Sequence, residues 1–216
     1  IIFVNDGSKD QSWSKILEQN TINKNVKGID FTGNFGQHNA IFAGLELSVA
    51  KYNIVLDCDL QDNPKYICNL YSEIVKKKKD LVAIEFSKRH ENFFKRIYSN
   101  LFWKIISFLS KKNFNNKIGN FMIFTENIKN EILKFKEQDK LLSGVLLLIG
   151  CKFSTISLPR EDRNYGKSGY TFVKKVKLAI NLITNYSNIL ITYFILINLI
   201  IFFISIFAIF YILYLS

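Results

Sequence analysis

The sequence predicts an α/β domain followed by a membrane-spanning helix. Through most of the chain, short apolar runs alternate with helical patterns, which is typical of a parallel sheet with crossover helices. From Leu178 to Ser216 the chain contains no Asp, Glu, Lys or Arg, which is the composition of a membrane segment. A total of 216 residues suits one domain core with an appendage.

The first predicted elements alternate regularly. Strands are expected near residues 1–4, 27–31 and 53–56, and helices near residues 12–19 and 39–50. The segment Asp62-Asn63-Pro64 then combines cap residues with a first-turn proline and predicts another helix start. The apolar face of that helix consists of Ile67, Leu70, Tyr71, Ile74 and Val75. The basic run from Lys76 to Lys79 suits the end of the helix, where cations stabilise the helix dipole.

The later elements lead to the membrane. We expect a strand at 81–86, a long amphipathic helix from Phe94 to Phe108, a strand at 151–158 and an interfacial helix from Phe172 to Ile183. The predicted organisation is a cytosolic domain at 1–170, an amphipathic juxtamembrane helix at 171–188 and a transmembrane helix at 189–215. As a helix, the last range would extend roughly 40 Å, enough to cross a hydrocarbon core of about 30 Å.

The charge of the chain indicates a polyanionic partner. The formal net charge is +11, which suits a nucleic acid, an anionic membrane surface or a phosphorylated substrate. Lys174, Lys175 and Lys177 directly precede the apolar segment, as cytoplasmic flanking residues do. We therefore expect the cytoplasmic membrane, with the domain on the cytoplasmic side, and no nucleic-acid partner. Homo-oligomerisation is left open.

The cysteines and the first residues bear on the compartment and on completeness. The three cysteines, Cys58, Cys68 and Cys151, show no C-x-x-C spacing, which is consistent with a reducing compartment.

The chain starts with the apolar run Ile1-Ile2-Phe3-Val4, without Met and without the pattern of a signal peptide. We therefore expect a fragment of a longer protein, in which an earlier strand of the sheet precedes this one.

Two acidic turns follow predicted strands, and ligands of open parallel sheets bind beyond the carboxyl ends of the strands. The first is Asn5-Asp6-Gly7-Ser8, in which Asp6 could accept hydrogen bonds from a base or ribose. Alone, this signal is weak, since Asp, Gly and Ser occur in most turns.

The second acidic turn predicts a metal site. In an extended segment Asp57, Asp59 and Gln61 point the same way and offer oxygen ligands to Mg²⁺ or Mn²⁺, leaving open positions for diphosphate oxygens. Without a cation such close carboxylates repel each other.

These motifs, in this order, resemble those of family 2 glycosyltransferases. The matching segments are Asn5-Asp6-Gly7-Ser8, Asn34-Phe35-Gly36 with Ala40 to Leu45, Asp57 to Pro64, and Arg163 to Tyr170. The last segment is similar to the R-x-x-G-x-S-x-Y pattern of the branch with dolichol-phosphate mannose synthases and bacterial polyprenyl-phosphate glycosyltransferases. The match covers nearly the whole chain.

The resemblance implies a GT-A fold, a Rossmann-like mixed sheet that here lacks its N-terminal strand. It implies that Asp6 helps to hold the nucleotide, and that Asp57, Asp59 and Gln61 hold the metal diphosphate. Basic residues after the next strand, here Arg89 and Arg96, would face the acceptor lipid phosphate. Arg163, Lys167 and Ser168 would belong to a mobile loop that closes over the donor. Guanidinium groups suit these tasks because they bind phosphate oxygens in a fork geometry.

Three features depart from the family pattern. Asn5 stands where relatives often have Asp, and Asn120 stands where many have Asp. The third departure is the missing N-terminal strand, whose loop helps to grip the nucleotide in the family.

The resulting interpretation is an inverting transferase that moves a sugar from a UDP- or GDP-linked donor to a polyprenyl phosphate for cell-envelope glycan or lipid modification. Asp59, Arg89 and Arg96 are the candidate catalytic residues. One alternative is transfer to a glycan hydroxyl, although no Q-x-x-R-W type segment is present. The other is a catalytically silent membrane-bound accessory protein of the same fold.

Overall fold

A computed structural model describes residues 1–59, 62–86, 104, 107, 118–136, 141–158 and 189–215. The described residues form two compact units. The first contains every described residue up to Leu158 except Lys104 and Ser107, and the second contains those two residues and the C-terminal helix.

The first unit begins with a two-stranded parallel sheet. Strand β1 (Ile2–Asn5) pairs with strand β2 (Lys27–Asp30). Helix α1 (Ser12–Ile22) connects them and packs against both. The helix can approach because β2 carries Gly28, where a Cβ atom would lie 2.8 Å from the side chains of Trp13 and Ile16. Helix α2 (Gln37–Leu47) packs against β1.

A four-stranded mixed sheet follows. Its strands are β3 (Tyr52–Val55), β4 (Leu81–Phe86), β5 (Ile118–Thr125) and β6 (Phe153–Leu158), in the spatial order β3-β5-β4-β6. Strand β5 runs antiparallel to both of its neighbours, whereas β4 and β6 are parallel. The α/β class is confirmed, and the sheet is mixed as the family resemblance implied. The alternation alone predicted a parallel sheet, and β5 departs from that pattern because it inserts antiparallel to β3 and β4.

Helices cover both faces of this sheet. Helix α3 (Ile67–Lys77) follows a 3₁₀ turn at Pro64–Tyr66, whose first residues are capped by the Asn63 side chain accepting from the Lys65 amide. Helix α4 (Glu126–Lys134) contacts β3 and β5, and helix α5 (Leu142–Ile149) packs on α4. The central strands are therefore buried on both faces and have nearly continuous apolar sequences.

One core cluster of the described residues lies between α3 and the sheet. Its buried members are Leu70, Ile74, Val82, Ile84, Phe121 and Ile123. The alternate residues of β4 and β5, among them Ala83, Met122 and Phe124, are also buried and belong to the opposite face. At about 25 cal/mol per Å² of apolar surface removed from water, the burial of this cluster stabilises the unit.

Helix α2 is fixed by contacts at both of its ends. At the C-terminal end the buried Lys129 of α4 donates from Nζ to the Ser48 carbonyl, 2.7 Å away. At the N-terminal end the backbone N–H of Leu142, the first residue of α5, lies 3.5 Å from Nδ1 of His38. Burial lowers the pKa of His38 to about 4, because the low-dielectric surroundings disfavour the imidazolium.

The second unit contains helix α6 (Ile189–Leu215), which occupies the range predicted for the transmembrane helix. Its Thr192–Leu215 segment has a mean hydropathy of 2.8 and is long and apolar enough to cross a membrane, by length and composition. The side chains of Asn198 and Ser205 donate to the carbonyls of Phe194 and Ile201, so these polar groups are satisfied within the helix.

Most of the predicted elements are present. The strand at 81–86 has the predicted bounds, and the other predicted strands, together with the helices near 12–19, 39–50 and after Pro64, differ from the observed ones at their ends. Strand β5 and helices α4 and α5 were not predicted. The long helix predicted from Phe94 to Phe108 and the interfacial helix from Phe172 to Ile183 lie outside the described residues, apart from Lys104 and Ser107, which are helical.

The low pKa of His38 predicts a loss of stability in mild acid. Between pH 6.5 and about 4 the unfolded chain binds a proton that the folded chain does not, so stability falls as the pH drops through this window. From pH 7 to pH 5 the expected contribution is about 2 kcal/mol. His38→Asn keeps an acceptor near the Leu142 amide and removes the titration.

Urea unfolding of both proteins at pH 7 and pH 5 measures this contribution. The wild type should lose about 2 kcal/mol more than His38→Asn over the interval. Equal losses in the two proteins would show that His38 is protonated as readily in the folded chain as in the unfolded one.

Candidate active site

Several strands of the mixed sheet end at one edge. Strands β3, β4 and β6 share a direction, so their carboxyl ends meet there, and the antiparallel β5 begins there. Asp57 follows β3, and Glu85 lies near the end of β4, where its Oε2 is 3.3 Å from the Thr155 hydroxyl. Asn120 lies near the start of β5, two residues before Met122, which pairs with Val55. Convergent strand ends are where ligands bind in open α/β sheets.

The first acidic turn clamps the loop before α2. The Asp6 carboxylate accepts from the backbone N–H of Phe35 at 2.6 Å and from that of Gly36 at 2.9 Å. The side chain of Asn34 donates in return to the Asp6 carbonyl at 3.1 Å. The motif residues Asn34-Phe35-Gly36 are thus held by Asp6, and both carboxylate oxygens already accept a hydrogen bond. Asp6 was predicted to hold the nucleotide, and its observed contacts are to the protein backbone.

The turn itself depends on a glycine. Gly7 has a φ of +69°, and a Cβ atom there would lie 2.5 Å from the backbone carbon of Gly33. Before it, the buried Asn5 donates from its side-chain amide to Asp30 at 2.7 Å. Asn5 therefore ties the end of β1 to the end of β2, where a second carboxylate would repel Asp30. This contact gives a local reason for Asn at a position where the family resemblance led us to expect Asp.

A side chain of α2 connects the two acidic turns. Gln37, the first residue of α2, donates from Nε2 to Oδ1 of Asp57 at 2.7 Å. Its position is set by Gly36, which has a φ of +94° and is bound through its N–H to Asp6. Asp6, the loop and Asp57 therefore form one connected arrangement at the sheet edge.

The carboxylates of the second acidic turn affect Cys58, which lies between them in the sequence. Loss of hydration, followed by the charges of Asp57 and Asp59, raises the pKa of the Cys58 thiol above its usual value, although the residue lies on an exposed turn. The thiol between these carboxylates is therefore neutral at pH 7 and is a poor metal ligand. Carboxylate oxygens are what Mg²⁺ and Mn²⁺ prefer.

The described part of this turn suits a metal shared with a substrate. Among the residues that the structure describes, no three His, Cys, Asp or Glu side chains are grouped so that they could enclose a metal by themselves. A cation that also binds diphosphate oxygens needs only one or two protein carboxylates. Asp57 and Asp59 provide this donor set. The third predicted ligand, Gln61, lies outside the described residues.

The other predicted site residues also lie outside the described residues. They are Arg89, Arg96, Arg163, Lys167 and Ser168. The strands that precede them in the chain, β4 and β6, both end at the edge that carries Asp57.

The sequence did not predict a role for two residues of the site. Gln37 directly follows the motif Asn34-Phe35-Gly36, and this adjacency was the signal that could have indicated it. Phe35 belongs to that motif, but no separate role was predicted for it. The residue is 58% exposed and its ring meets Phe31 edge-on at 5.6 Å, so it presents an apolar surface near the loop that Asp6 holds.

Comparison with known sequences identifies the family of the domain. The sequence profile of glycosyl transferase family 2 matches residues 1–134. An uncharacterised glycosyltransferase of Bacillus subtilis, YkcC, is 30% identical over 87% of this chain and 58% of its own length. A prophage bactoprenol glucosyl transferase homologue of Escherichia coli is 28% identical over 87% of this chain and 61% of its own length. The chain thus spans about three-fifths of these relatives.

Among solved structures, the protein is similar to Staphylococcus aureus TarS. The similarity has a TM-score of 0.47 and 16% sequence identity, and it covers 72% of this chain and 48% of that one.

The close approach of Gly7 to Gly33 predicts that alanine substitutions at these two positions change the stability of the chain by very different amounts. Gly7→Ala should destabilise the chain by at least about 2 kcal/mol, because the backbone is left-handed and the new Cβ meets the Gly33 backbone. Gly33→Ala is the matched control. Its Cβ would meet only the Phe35 ring, at 3.8 Å, so we expect a change within about 0.5 kcal/mol.

Urea unfolding of the two variants beside the wild type provides the measurement. Similar stability of the two variants would contradict the close approach of the Gly7 turn to the loop before α2.

Proposed function

Because the chain belongs to glycosyl transferase family 2, we propose that it is the catalytic part of an enzyme that transfers a sugar from a nucleotide sugar to a polyprenyl phosphate. The observation that carries this proposal is the connection from Asp6 through the α2 loop and Gln37 to Asp57. It brings the two acidic turns to one edge of the domain. A nucleoside diphosphate and a divalent cation are the ligands that such an edge suits.

The relatives support the choice of acceptor. Several are named bactoprenol glucosyl transferases, from Escherichia coli, Shigella flexneri and Shigella phages. Helix α6 and the basic residues Lys174, Lys175 and Lys177 before it support a site at the cytoplasmic face of a membrane, where a lipid phosphate is available. The proposed donor is UDP- or GDP-linked, and the product would serve cell-envelope glycan or lipid modification.

The proposed reaction inverts the configuration at the anomeric carbon of the sugar. An oxygen of the acceptor phosphate attacks that carbon while its bond to the nucleoside diphosphate breaks. A phosphate monoester, with a second pKa of about 6, is mostly ionised at neutral pH and needs positioning more than proton removal. Asn120 cannot act as a base, which is compatible with such an acceptor. Arg89 and Arg96 are proposed to position its phosphate, and Arg163, Lys167 and Ser168 to close over the donor.

The acidic turn would serve the leaving group. Asp57, Asp59 and Gln61 are proposed to hold Mg²⁺ or Mn²⁺ against the diphosphate. When bound, the cation stabilises the charge that develops there. Because carboxylates alone would repel a diphosphate, donor affinity should depend on the metal.

This dependence predicts the effect of a change from carboxylate to amide. Asp59→Asn should weaken Mn²⁺-dependent binding of nucleoside diphosphate by about 10²-fold, because an amide oxygen is a poorer ligand than a carboxylate. The matched control is Glu18→Gln, an equivalent change at an exposed position on α1. Calorimetry with UDP and with GDP, each with and without Mn²⁺, measures both variants. Equal effects of the two substitutions would rule out the acidic turn as the metal site.

The acceptor assignment predicts a preference between two acceptor classes. Transfer to polyprenyl phosphate should exceed transfer to sugar hydroxyls, because an alcohol requires a base, whose contribution is typically 10² to 10⁴ in rate. Asn120→Asp should therefore give no large gain with the phosphate acceptor, and Arg96→Ala should reduce that transfer.

The assay uses the full-length protein, radiolabelled nucleotide sugars and both acceptors side by side. Faster transfer to hydroxyls, or a gain of orders of magnitude from Asn120→Asp with the phosphate acceptor, would refute the assignment. Absence of transfer to either acceptor, together with absence of metal-dependent donor binding, would favour a silent accessory protein.

A further inference from the structure

We propose that Gln37 is a positioning residue that orients the Asp57 carboxylate for the divalent cation. The proposal rests on the proposed function, because it concerns the same metal diphosphate site. No role was predicted for Gln37, and it matches none of the metal, nucleotide or acceptor residues named above.

The geometry of the contact is direct. Nε2 of Gln37 lies 2.7 Å from Oδ1 of Asp57, the distance of a good charge-assisted hydrogen bond. An ionised carboxylate offers about four lone-pair sites, so this bond leaves capacity for a cation. It also restricts the rotation of the carboxyl group beside the neighbouring charge of Asp59.

The backbone of Gln37 is anchored independently of Asp57. The two residues before it donate their N–H groups to Asp6, and the side chain of Asn39 donates to the Phe35 carbonyl at 2.8 Å. The α2 helix is further tied by Lys129 at its other end. Gln37 therefore extends from a rigid support, which is what a residue that orients a metal ligand requires.

The chemistry of an amide suits this role better than that of a cation. A lysine or arginine at this position would neutralise Asp57 and repel Mg²⁺ or Mn²⁺. A glutamine donates one hydrogen bond and leaves the negative charge of the carboxylate available to the metal. The hydrogen bond from Gln37 thus orients the Asp57 carboxylate without neutralising its negative charge.

The test compares two Gln→Met substitutions in the full-length protein. Gln37→Met keeps the length of the side chain and removes the donor. Gln19→Met is the matched control, since Gln19 is exposed on α1 and lies away from the acidic turns in sequence. Electron paramagnetic resonance of free Mn²⁺, titrated with saturating UDP or GDP, measures metal affinity. Nucleotide binding without metal and thermal unfolding without metal are measured in parallel.

We expect Gln37→Met to weaken Mn²⁺ binding about tenfold, as removal of a partner of a metal ligand typically does. Gln19→Met should change it less than twofold. Metal-free nucleotide affinity and the unfolding temperature should stay the same in both variants, because Gln37 acts only through Asp57.

Three outcomes would overturn the proposal. Equal Mn²⁺ affinities in the two variants would show that the hydrogen bond does not orient a metal ligand. A loss for Gln37→Met that is as large without metal as with it would assign Gln37 to the nucleotide or to the fold. In both cases the metal-dependent binding of the wild type, and with it the proposed function, would stand. If the wild type itself shows no Mn²⁺-dependent nucleotide binding, the proposed function and this inference fail together.

Discussion

The site depends on one carboxylate and two backbone N–H groups. Asp6, at the end of β1, accepts from Phe35 and Gly36 and thereby sets where α2 begins. A charged acceptor that satisfies N–H groups ahead of a helix replaces the side-chain cap that α2 lacks, and its negative charge interacts favourably with the helix dipole. Lys129 supplies the opposite charge at the other end of the helix. Because α2 is held at both ends, the backbone of its first residue, Gln37, has a defined position from which the side chain contacts Asp57.

The electrostatics of the site contrast with those of the chain as a whole. The net charge of +11 favours polyanionic ligands at long range. At the sheet edge, however, Asp57 and Asp59 create a field strong enough to contribute to the raised pKa of the Cys58 thiol. A nucleoside diphosphate attracted to the molecule would meet repulsion at this edge unless a cation came with it. Attraction at long range and repulsion at the sheet edge are together the physical reason to expect that a nucleoside diphosphate and a metal bind together.

The sequence predicted local features well and long-range pairings poorly. Alternating apolar runs located the strands at 2–5, 27–30, 52–55 and 81–86, since a buried strand that ends in a turn has a clear local pattern. The apolar length of α6 was equally visible. Strand β5 was missed because Gly119 and Asn120 interrupt its start and both of its faces are buried, so it shows neither alternation nor a clean boundary. Its insertion between β3 and β4 depends on pairing across dozens of residues.

The site was predicted in part for the same reason. The carboxylates Asp57 and Asp59 could be recognised from their spacing in the sequence. The contacts of Asp6 with the loop before α2 and of Gln37 with Asp57 join residues that are 20 to 30 positions apart, so no local pattern indicates them.

The inserted strand also gives Asn120 a structural context. In the antiparallel register Val55 pairs with Met122, so Asn120 lies towards the end of the sheet at which β3 gives way to Asp57. A carboxylate there would add a further negative charge near Asp57 and would increase the repulsion that the cation must offset. An amide avoids this cost and still offers a donor and an acceptor. If the acceptor is an ionised phosphate, the reaction does not need a carboxylate base at position 120. Asn5 has a similar effect at the end of β1, because its side-chain amide donates to Asp30 where a carboxylate would repel it. In both places an amide adds no negative charge to that of the carboxylates around the site.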